Sequence, residues 1–105
     1  MNINFTGHHM DLTDSLRDYA SKRFERLAHY YDKIMDIDVT LEVNKNQVNH
    51  TATVALHIPH ASKIYAESTS EDMYASIDEV YDKLKRQIEK FKDKIQDKTK
   101  DPERT

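Results

Sequence analysis

One long predicted helix constrains this chain more than any other feature. From Asp72 to Lys98 the apolar residues recur every three or four positions, which places them within roughly a 100° sector of a helix. This apolar stripe comprises Met73, Ile77, Val80, Tyr81, Leu84, Ile88, Phe91 and Ile95. Because such a stripe must be buried against another layer of structure, the helix predicts a partner surface.

The charged residues of the same helix sort by sign onto two further sectors. Acidic residues lie about 100–160° from Ile77, and basic residues lie about 180–260° from it. The acidic stripe is Asp78, Asp82, Glu89 and Asp93, and the α3 basic group is Lys83, Arg86, Lys90 and Lys94. Further cations follow these acids by one turn, so we interpret the acidic stripe as a solvated, partly ion-paired face and not as catalytic carboxylates.

Length and composition bound the class of protein. The 105 residues allow one domain, which we predict at 1–96 with a flexible polar tail at 97–105. The net charge of -3 taken alone argues against a nucleic-acid partner. There is no cysteine, and a single glycine excludes Gly-rich phosphate loops, so no cofactor and no enzymatic activity are predicted. Neither a signal peptide nor a membrane span is evident, which favours a cytoplasmic protein without membrane contact.

Before the long helix, the sequence predicts four strands and one further helix. Apolar and polar residues alternate in residues 1–6, 37–43, 48–58 and 63–69, with Gly7 ending the first strand. Thr13 is placed to cap a helix that runs to about Tyr31. The order β-α-β-β-β-α, with one apolar face on each strand, predicts a two-layer α+β sandwich with both helices on one face of a four-stranded sheet.

The first helix also carries cations. Lys22, Arg23 and Arg26 lie on one side of it with Tyr19 and Tyr30 among them, and Arg17 lies on the other flank. Because both helices pack on the same side of the sheet, we expect these cations to join the α3 basic group in one continuous patch. Such a patch resembles a surface that follows phosphates, although a run of cations on one helix is usually just solvated.

The histidines show no metal-motif spacing. His8, His9, His57 and His60 could capture a stray transition metal, but no functional metal site is predicted.

These residues resemble the short bacterial ribosome hibernation promoting factors and the related ribosome-associated inhibitor A. The resemblance covers residues 1–96 and is strongest in the segment EDMYASID at Glu71 to Asp78, followed by the pattern Asp82-Lys83-Leu84, Arg86-Gln87 and Lys90. Leu12-Thr13 and Leu16-Arg17 match in the first helix.

The resemblance implies a fold similar to double-stranded RNA-binding domains and a small-subunit site that overlaps the positions of mRNA and tRNA. It implies that such a factor favours inactive ribosome dimers together with ribosome modulation factor, in stationary phase or stress. Residues carried over as rRNA contacts are Arg17, Arg23, Arg26, Lys83, Arg86, Lys90 and Lys94, and Lys22 is added as a neighbouring cation. The tail lacks a long acidic extension and a dimerisation domain, which favours the short type.

Two other hypotheses stay open at this stage. The positions Ile77, Tyr81, Leu84, Ile88, Phe91 and Ile95, spaced alternately 4 and 3, would suit a coiled-coil seam of an interaction module that dimerises through this helix. A stable dimer in solution would favour that module, whereas a ribosome-bound factor is expected to be a monomer when free. A small metal-dependent enzyme that uses the histidines would need an activity that is lost with a chelator.

Overall fold

The computed structural model describes residues 2–47, 49–59 and 64–104, with the side chains of the last helix described as far as Asp93. The elements in chain order are β1 (Asn2–His8), α1 (Asp14–Glu25), α2 (Leu27–Tyr30), β2 (Asp36–Asn44), β3 (Asn49–His57), β4 (Ile64–Ser70) and α3 (Met73–Arg104). The predicted succession of strands and helices is confirmed, with the short α2 as an addition.

The four strands form one mixed sheet in the order β1-β2-β3-β4. β1 pairs with β2 in parallel, and the pairs β2–β3 and β3–β4 are antiparallel. Parallel neighbours need a crossover connection, which the segment containing α1 and α2 supplies. The two antiparallel pairs need only short turns, in agreement with the turn chemistry that follows Asn44.

Alternation along the strands places one face of the sheet in the core. Ile37, Val39 and Leu41 of β2 are at most 1% exposed, as are Ala52, Val54 and Leu56 of β3. Phe24 of α1 and the α3 residues Ile77, Leu84 and Ile88 are fully buried over the same face. The opposite face is polar, with residues such as Thr40, Thr53 and Glu67 along neighbouring strands. The predicted two-layer α+β sandwich is therefore confirmed.

The first strand is longer than predicted, because Gly7 does not end it. β1 continues through Gly7 to His8, pairing with Leu41 and Glu42 of β2. A Cβ atom built on Gly7 would lie 3.1 Å from Cγ of Leu12. The glycine is thus explained by the chain folding back closely over the strand and not by a turn.

The first helix is shorter than predicted. The Thr13 cap is confirmed, since its Oγ accepts a hydrogen bond from the Leu16 N–H at 3.2 Å. α1 ends at Glu25 because the Arg26 N–H bonds to the Arg23 carbonyl, three residues back, at 3.2 Å. This tightening at Arg26 separates α1 from the single turn of α2, so the predicted end at Tyr31 is wrong for α1.

The last helix extends beyond the predicted end at Lys98, to Arg104. No glycine follows Gly7 in the chain, so the usual residue for ending a helix is missing here. The flexibility of residues 97–105 stays a prediction. Val48 and Lys63, the predicted first residues of the third and fourth strands, lie outside the described residues.

Candidate nucleic-acid interface

α3 crosses the helical layer with one flank over the edge strand β4. The ammonium group of Lys83 donates a hydrogen bond to the Glu67 carbonyl at 2.8 Å, and the amide of Gln87 donates one to the Tyr65 carbonyl at 2.9 Å. These two side chains satisfy outward-facing carbonyl groups of an edge strand, which protects the edge from pairing with another chain. They also fix the rotation of α3 on the sheet.

With this rotation, the α3 basic group lies along the outer and β4-facing sides of the helix. Arg86 and Lys90 are exposed. Lys83 is exposed too, although its head group is bonded to the sheet edge. The side chain of Lys94 lies outside the described residues. Arg86 and Lys90 are therefore the cations of this group that have no recorded protein partner in the described part of α3.

α1 presents its cations on two flanks, as its helical spacing predicts. Lys22 and Arg26 are exposed. Arg17 is also exposed, and its guanidinium lies 5.8 Å from the centre of the Phe5 ring on β1. Arg17 therefore marks the β1 side of the helix layer, away from α3.

Arg23 differs from the other cations because its side chain is partly buried and forms an ion pair. Its guanidinium forms an ion pair with Asp78 of α3, donates a hydrogen bond to the Tyr19 hydroxyl at 2.5 Å, and lies 4.4 Å from the centre of the Tyr19 ring. The bond to Tyr19 raises the pKa of Arg23; burial opposes this shift, and the charge of Asp78 adds to it. Arg23 stays charged and links the two long helices.

Tyr19 and Asp78 complete this link, which we call the α1–α3 clasp (Tyr19, Arg23 and Asp78). The Tyr19 hydroxyl lies 2.8 and 2.9 Å from the two carboxylate oxygens of Asp78, to which it donates. The clasp shows that the Asp78 flank of α3 faces α1, whereas the Lys83 flank faces β4. The acidic stripe therefore begins at the junction of the two helices.

The prediction of one continuous basic patch is wrong, because the acidic flank of α3 that begins at Asp78 faces α1. Asp82 follows Asp78 by one turn and is exposed. The pKa of Tyr30 on α2 is lowered chiefly by its hydrogen bond with Lys85, and Glu89 lies close enough for its charge to oppose this shift. The acidic stripe thus lies between the α1 cations and the α3 basic group. The helical face carries two basic zones separated by an acidic one, because α3 presents its acidic flank to α1 and α2.

A cation that was not among the predicted RNA contacts sits in this acidic zone. Lys85 lies 5.0 Å from the centre of the Tyr30 ring. A hydrogen bond between the two side chains lowers the pKa of Tyr30 and raises that of Lys85. Neighbouring Tyr81 has a raised pKa, chiefly because it is partly buried. The spacing of Lys85 from Tyr81 signalled a shared flank, but only the tertiary structure brings Tyr30 to it.

Tyr74 is a second residue whose surface role the sequence interpretation missed. It lies in the first turn of α3, is 37% exposed, and meets the ring of Tyr19 edge to face, with 4.8 Å between ring centres. An available signal was its place at the edge of the apolar stripe, inside the EDMYASID segment. An exposed aromatic ring beside two basic zones is a candidate contact for a nucleic-acid base.

The histidines do not form a metal centre in the described part of the chain. Nε2 of His57 lies 2.7 Å from a carboxylate oxygen of Asp38, and His8 and His9 are exposed near the end of β1. No group of three potential metal ligands occurs among the described residues. His60 lies outside them, so capture of a stray metal by all four histidines stays a prediction.

The predicted coiled-coil seam is largely occupied by the protein's own core. Ile77, Leu84 and Ile88 are fully buried. Tyr81 and Phe91 pack at its margin, with Phe91 edge to face against Tyr31 at 5.5 Å between ring centres. Ile95 has a side chain outside the described ones. A partner helix would therefore have to displace the sheet to reach the described part of the seam.

Comparison with known proteins places these features in a family. A model of the family described as Sigma 54 modulation protein / S30EA ribosomal protein matches residues 3–96. The chain is 40% identical over 95 residues to the ribosome hibernation promoting factor of Escherichia coli strain K12, covering 90% of this chain and 97% of that protein. It is 42% identical over 94 residues to the factor of the same name from Azotobacter vinelandii, covering 90% and 85%.

Solved structures agree with this result. A ribosomal subunit interface protein from Coxiella burnetii superposes with a TM-score of 0.80 at 30% identity, covering 88% of this chain and 98% of that one. The N-terminal domain of Protein Y from Thermus thermophilus gives a TM-score of 0.78 at 30% identity, covering 87% and 99%. The family is one of ribosome hibernation and interface factors and not of enzymes. The chain belongs to the Sigma 54 modulation protein / S30EA ribosomal protein family.

Proposed function

We propose that this chain is a ribosome hibernation factor that binds the small subunit in the decoding channel through its helical face. One observation of the structure carries the proposal: Lys22, Arg26, Arg86 and Lys90 are exposed on that face, and their side chains form no ion pair or hydrogen bond with the described residues. Exposed cations without an ion-pair partner gain more from phosphate contacts than cations that are already paired. The names of the relatives, which denote ribosome hibernation and subunit interface proteins, support the ribosome as the partner.

The opposite face of the protein is poorly suited to RNA. It carries Asp38 and Glu42 on β2 and Glu67 on β4, and these acids repel phosphate. Its one exposed large aromatic residue in the described strands is Tyr65, whose hydroxyl donates to Glu67 at 3.1 Å. A sheet that binds single-stranded RNA by stacking offers several aromatic rings. This contrast favours the helical face.

Binding in the channel between head and body would exclude mRNA and the tRNA anticodons, and so block translation. We propose further that the factor favours inactive ribosome dimers together with ribosome modulation factor in stationary phase or stress, and that it is a cytoplasmic monomer off the ribosome. No described helix combines the length and apolar character needed to cross a membrane.

The test uses two charge-reversal variants with the same change in net charge. Arg86→Glu with Lys90→Glu is expected to abolish co-sedimentation with purified small subunits, because the two reversals make the charge of the helical face more negative by four. Lys33→Glu with Lys45→Glu, at exposed positions in loops, is the control and is expected to keep most of the binding. Equal losses for both variants would indicate a non-specific charge effect and contradict the assigned face.

The decoding-channel assignment needs a second measurement. Increasing amounts of the wild-type protein should displace labelled mRNA and tRNA from small subunits. Binding of the protein that leaves mRNA and tRNA in place would contradict this site while keeping the ribosome as the partner. Sedimentation of whole ribosomes, with and without ribosome modulation factor, tests the proposed effect on dimers.

A further inference from the structure

Among the described residues of the helical layer, Tyr74 is the one large apolar or aromatic residue that is exposed. Besides it, only Met35 and Tyr65 are strongly exposed among such residues, and these lie just before β2 and on the free face of the sheet. The position of Tyr74 follows from the rotation of α3, which is held by its core residues and by the bonds of Lys83 and Gln87 to β4. Its exposure is therefore built into the fold.

The ring of Tyr74 is held in place by its neighbour Tyr19. The two rings meet at 89°, an edge-to-face arrangement that aromatic pairs prefer. Tyr19 is itself fixed by its hydrogen bonds to Asp78 and by the Arg23 guanidinium over its ring. An aromatic surface that is already ordered loses little conformational entropy when a ligand stacks on it.

The charges around this ring pair favour a base over a phosphate. Arg23 is neutralised locally by its ion pair with Asp78, so the clasp offers no free cation beside the rings. Exposed cations lie about one helical turn away, such as Lys22, three residues beyond Tyr19 on the same helix. An RNA strand whose phosphates contact these outer cations would present an unpaired base to the rings.

We infer that Tyr74, supported by Tyr19, forms a stacking site for one unpaired nucleobase of ribosomal RNA at the junction of α1 and α3. This inference rests on the proposed function, because it specifies how the same helical face recognises its RNA. The aromatic contact adds affinity that does not depend on counterion release. It also gives the acidic zone between the two basic zones a role in binding, since the rings lie at its start.

The first experiment compares Tyr74→Ala with Tyr74→Phe in binding to purified small subunits. Loss of the ring is expected to weaken binding about 5- to 150-fold, the range measured for base-stacking aromatic residues. Tyr74→Phe should bind within about twofold of the wild type, because the stacking surface is retained. The dependence of affinity on salt should keep its slope in both variants, since no phosphate contact is lost.

Tyr65→Ala is the matched control, because it removes a tyrosine that is even more exposed than Tyr74 from the free face of the sheet. It should leave the affinity unchanged. Thermal unfolding of each variant shows whether it is folded at the temperature of the binding measurement. Wild-type affinity for Tyr74→Ala, or an equal loss for Tyr74→Phe, would overturn the stacking site.

A fluorescent reporter distinguishes a base from a ribosomal protein as the contact. The chain contains no tryptophan, so Tyr74→Trp introduces a single indole. Stacking on a nucleobase should quench its emission when small subunits are added, while Tyr65→Trp should keep its emission. Binding of Tyr74→Trp without quenching would overturn the inference and leave the proposed function intact. Failure of the wild-type protein to bind small subunits would instead overturn the proposed function.

Discussion

The hydroxyl of Tyr19 on α1 contacts both carboxylate oxygens of Asp78 on α3, at 2.8 and 2.9 Å, although the two residues are 59 positions apart in the chain. With the ion pair between Arg23 and Asp78, this contact ties the two long helices together above the sheet. Asp78 was predicted to belong to a solvated, partly ion-paired stripe. It is instead the acceptor on which the junction between the two helices depends.

Replacement of Asp78 by Asn should weaken this junction. We expect Asp78→Asn to lower the free energy of unfolding by about 1–2 kcal/mol, because hydrogen bonds to a charged acceptor are lost at a site that is only partly shielded from water. Asp82→Asn, one turn along the same stripe and exposed, is the control and should change stability by less than about 0.5 kcal/mol. Urea unfolding measures both, and equal values would show that the clasp contributes nothing.

Substitutions of Arg26 and Arg23 should have different effects, the first on binding to small subunits and the second on stability. Arg26 is exposed, so Arg26→Gln should weaken binding to small subunits and reduce the slope of log affinity against log salt by about 1. Arg23→Gln should instead lower stability by about 1–2 kcal/mol, because Arg23 is bonded to Tyr19 and Asp78. Salt titrations and urea unfolding of both variants check this. A loss of stability confined to Arg26→Gln would contradict the assignment.

A buried serine supplies a stability prediction that is independent of RNA. Ser76 on α3 is fully buried, donates to the His50 carbonyl at 2.6 Å, and lies 2.8 Å from the Ser70 hydroxyl. Ser76→Ala should cost about 1–3 kcal/mol, because it leaves polar groups unpaired at the sheet. Ser15→Ala, at an exposed position of α1, should cost less than about 0.5 kcal/mol. Thermal or urea unfolding distinguishes them.

Titration of the tyrosines should reveal the pair formed by Tyr30 and Lys85. The hydrogen bond from Lys85 lowers the pKa of Tyr30 below its ordinary value of about 10. Removal of the cation in Lys85→Gln should therefore move the ionisation of Tyr30 to higher pH. The change can be followed by NMR of the Tyr30 ring or by tyrosinate absorbance. Tyr65, whose pKa is raised by its bond to Glu67, serves as an internal reference that should not move.

The core position Ile88 separates the single-protein core from the coiled-coil hypothesis. Because Ile88 is fully buried against the sheet, Ile88→Ala should lower the free energy of unfolding by about 2–5 kcal/mol at any protein concentration. The wild-type protein should have the solution mass of a monomer by light scattering. A stable dimer that dissociates in Ile88→Ala without loss of monomer stability would support the helix-pairing module instead.

Local pattern was sufficient for the four strands, the two long helices and the buried faces. The alternation in β2 predicted that Ile37, Val39 and Leu41 share a face, and the helical spacing predicted that Ile77, Leu84 and Ile88 share another. The Thr13 cap also followed from chemistry within one turn. Element ends were less predictable. Gly7 continues its strand because of its close approach to Leu12, a contact that spacing along the strand does not reveal.

The residue pattern was therefore enough to predict the two-layer fold, the buried stripe of α3 and the presence of exposed cations on both long helices. It could not predict which flank of α3 faces α1, because that depends on where the helix lies on the sheet and how it is rotated. This rotation pairs Arg23 with Asp78, bonds Lys83 to β4, and leaves Tyr74 exposed. Charge order along a helix is local, whereas the neighbour that each charge meets is set by packing between distant segments.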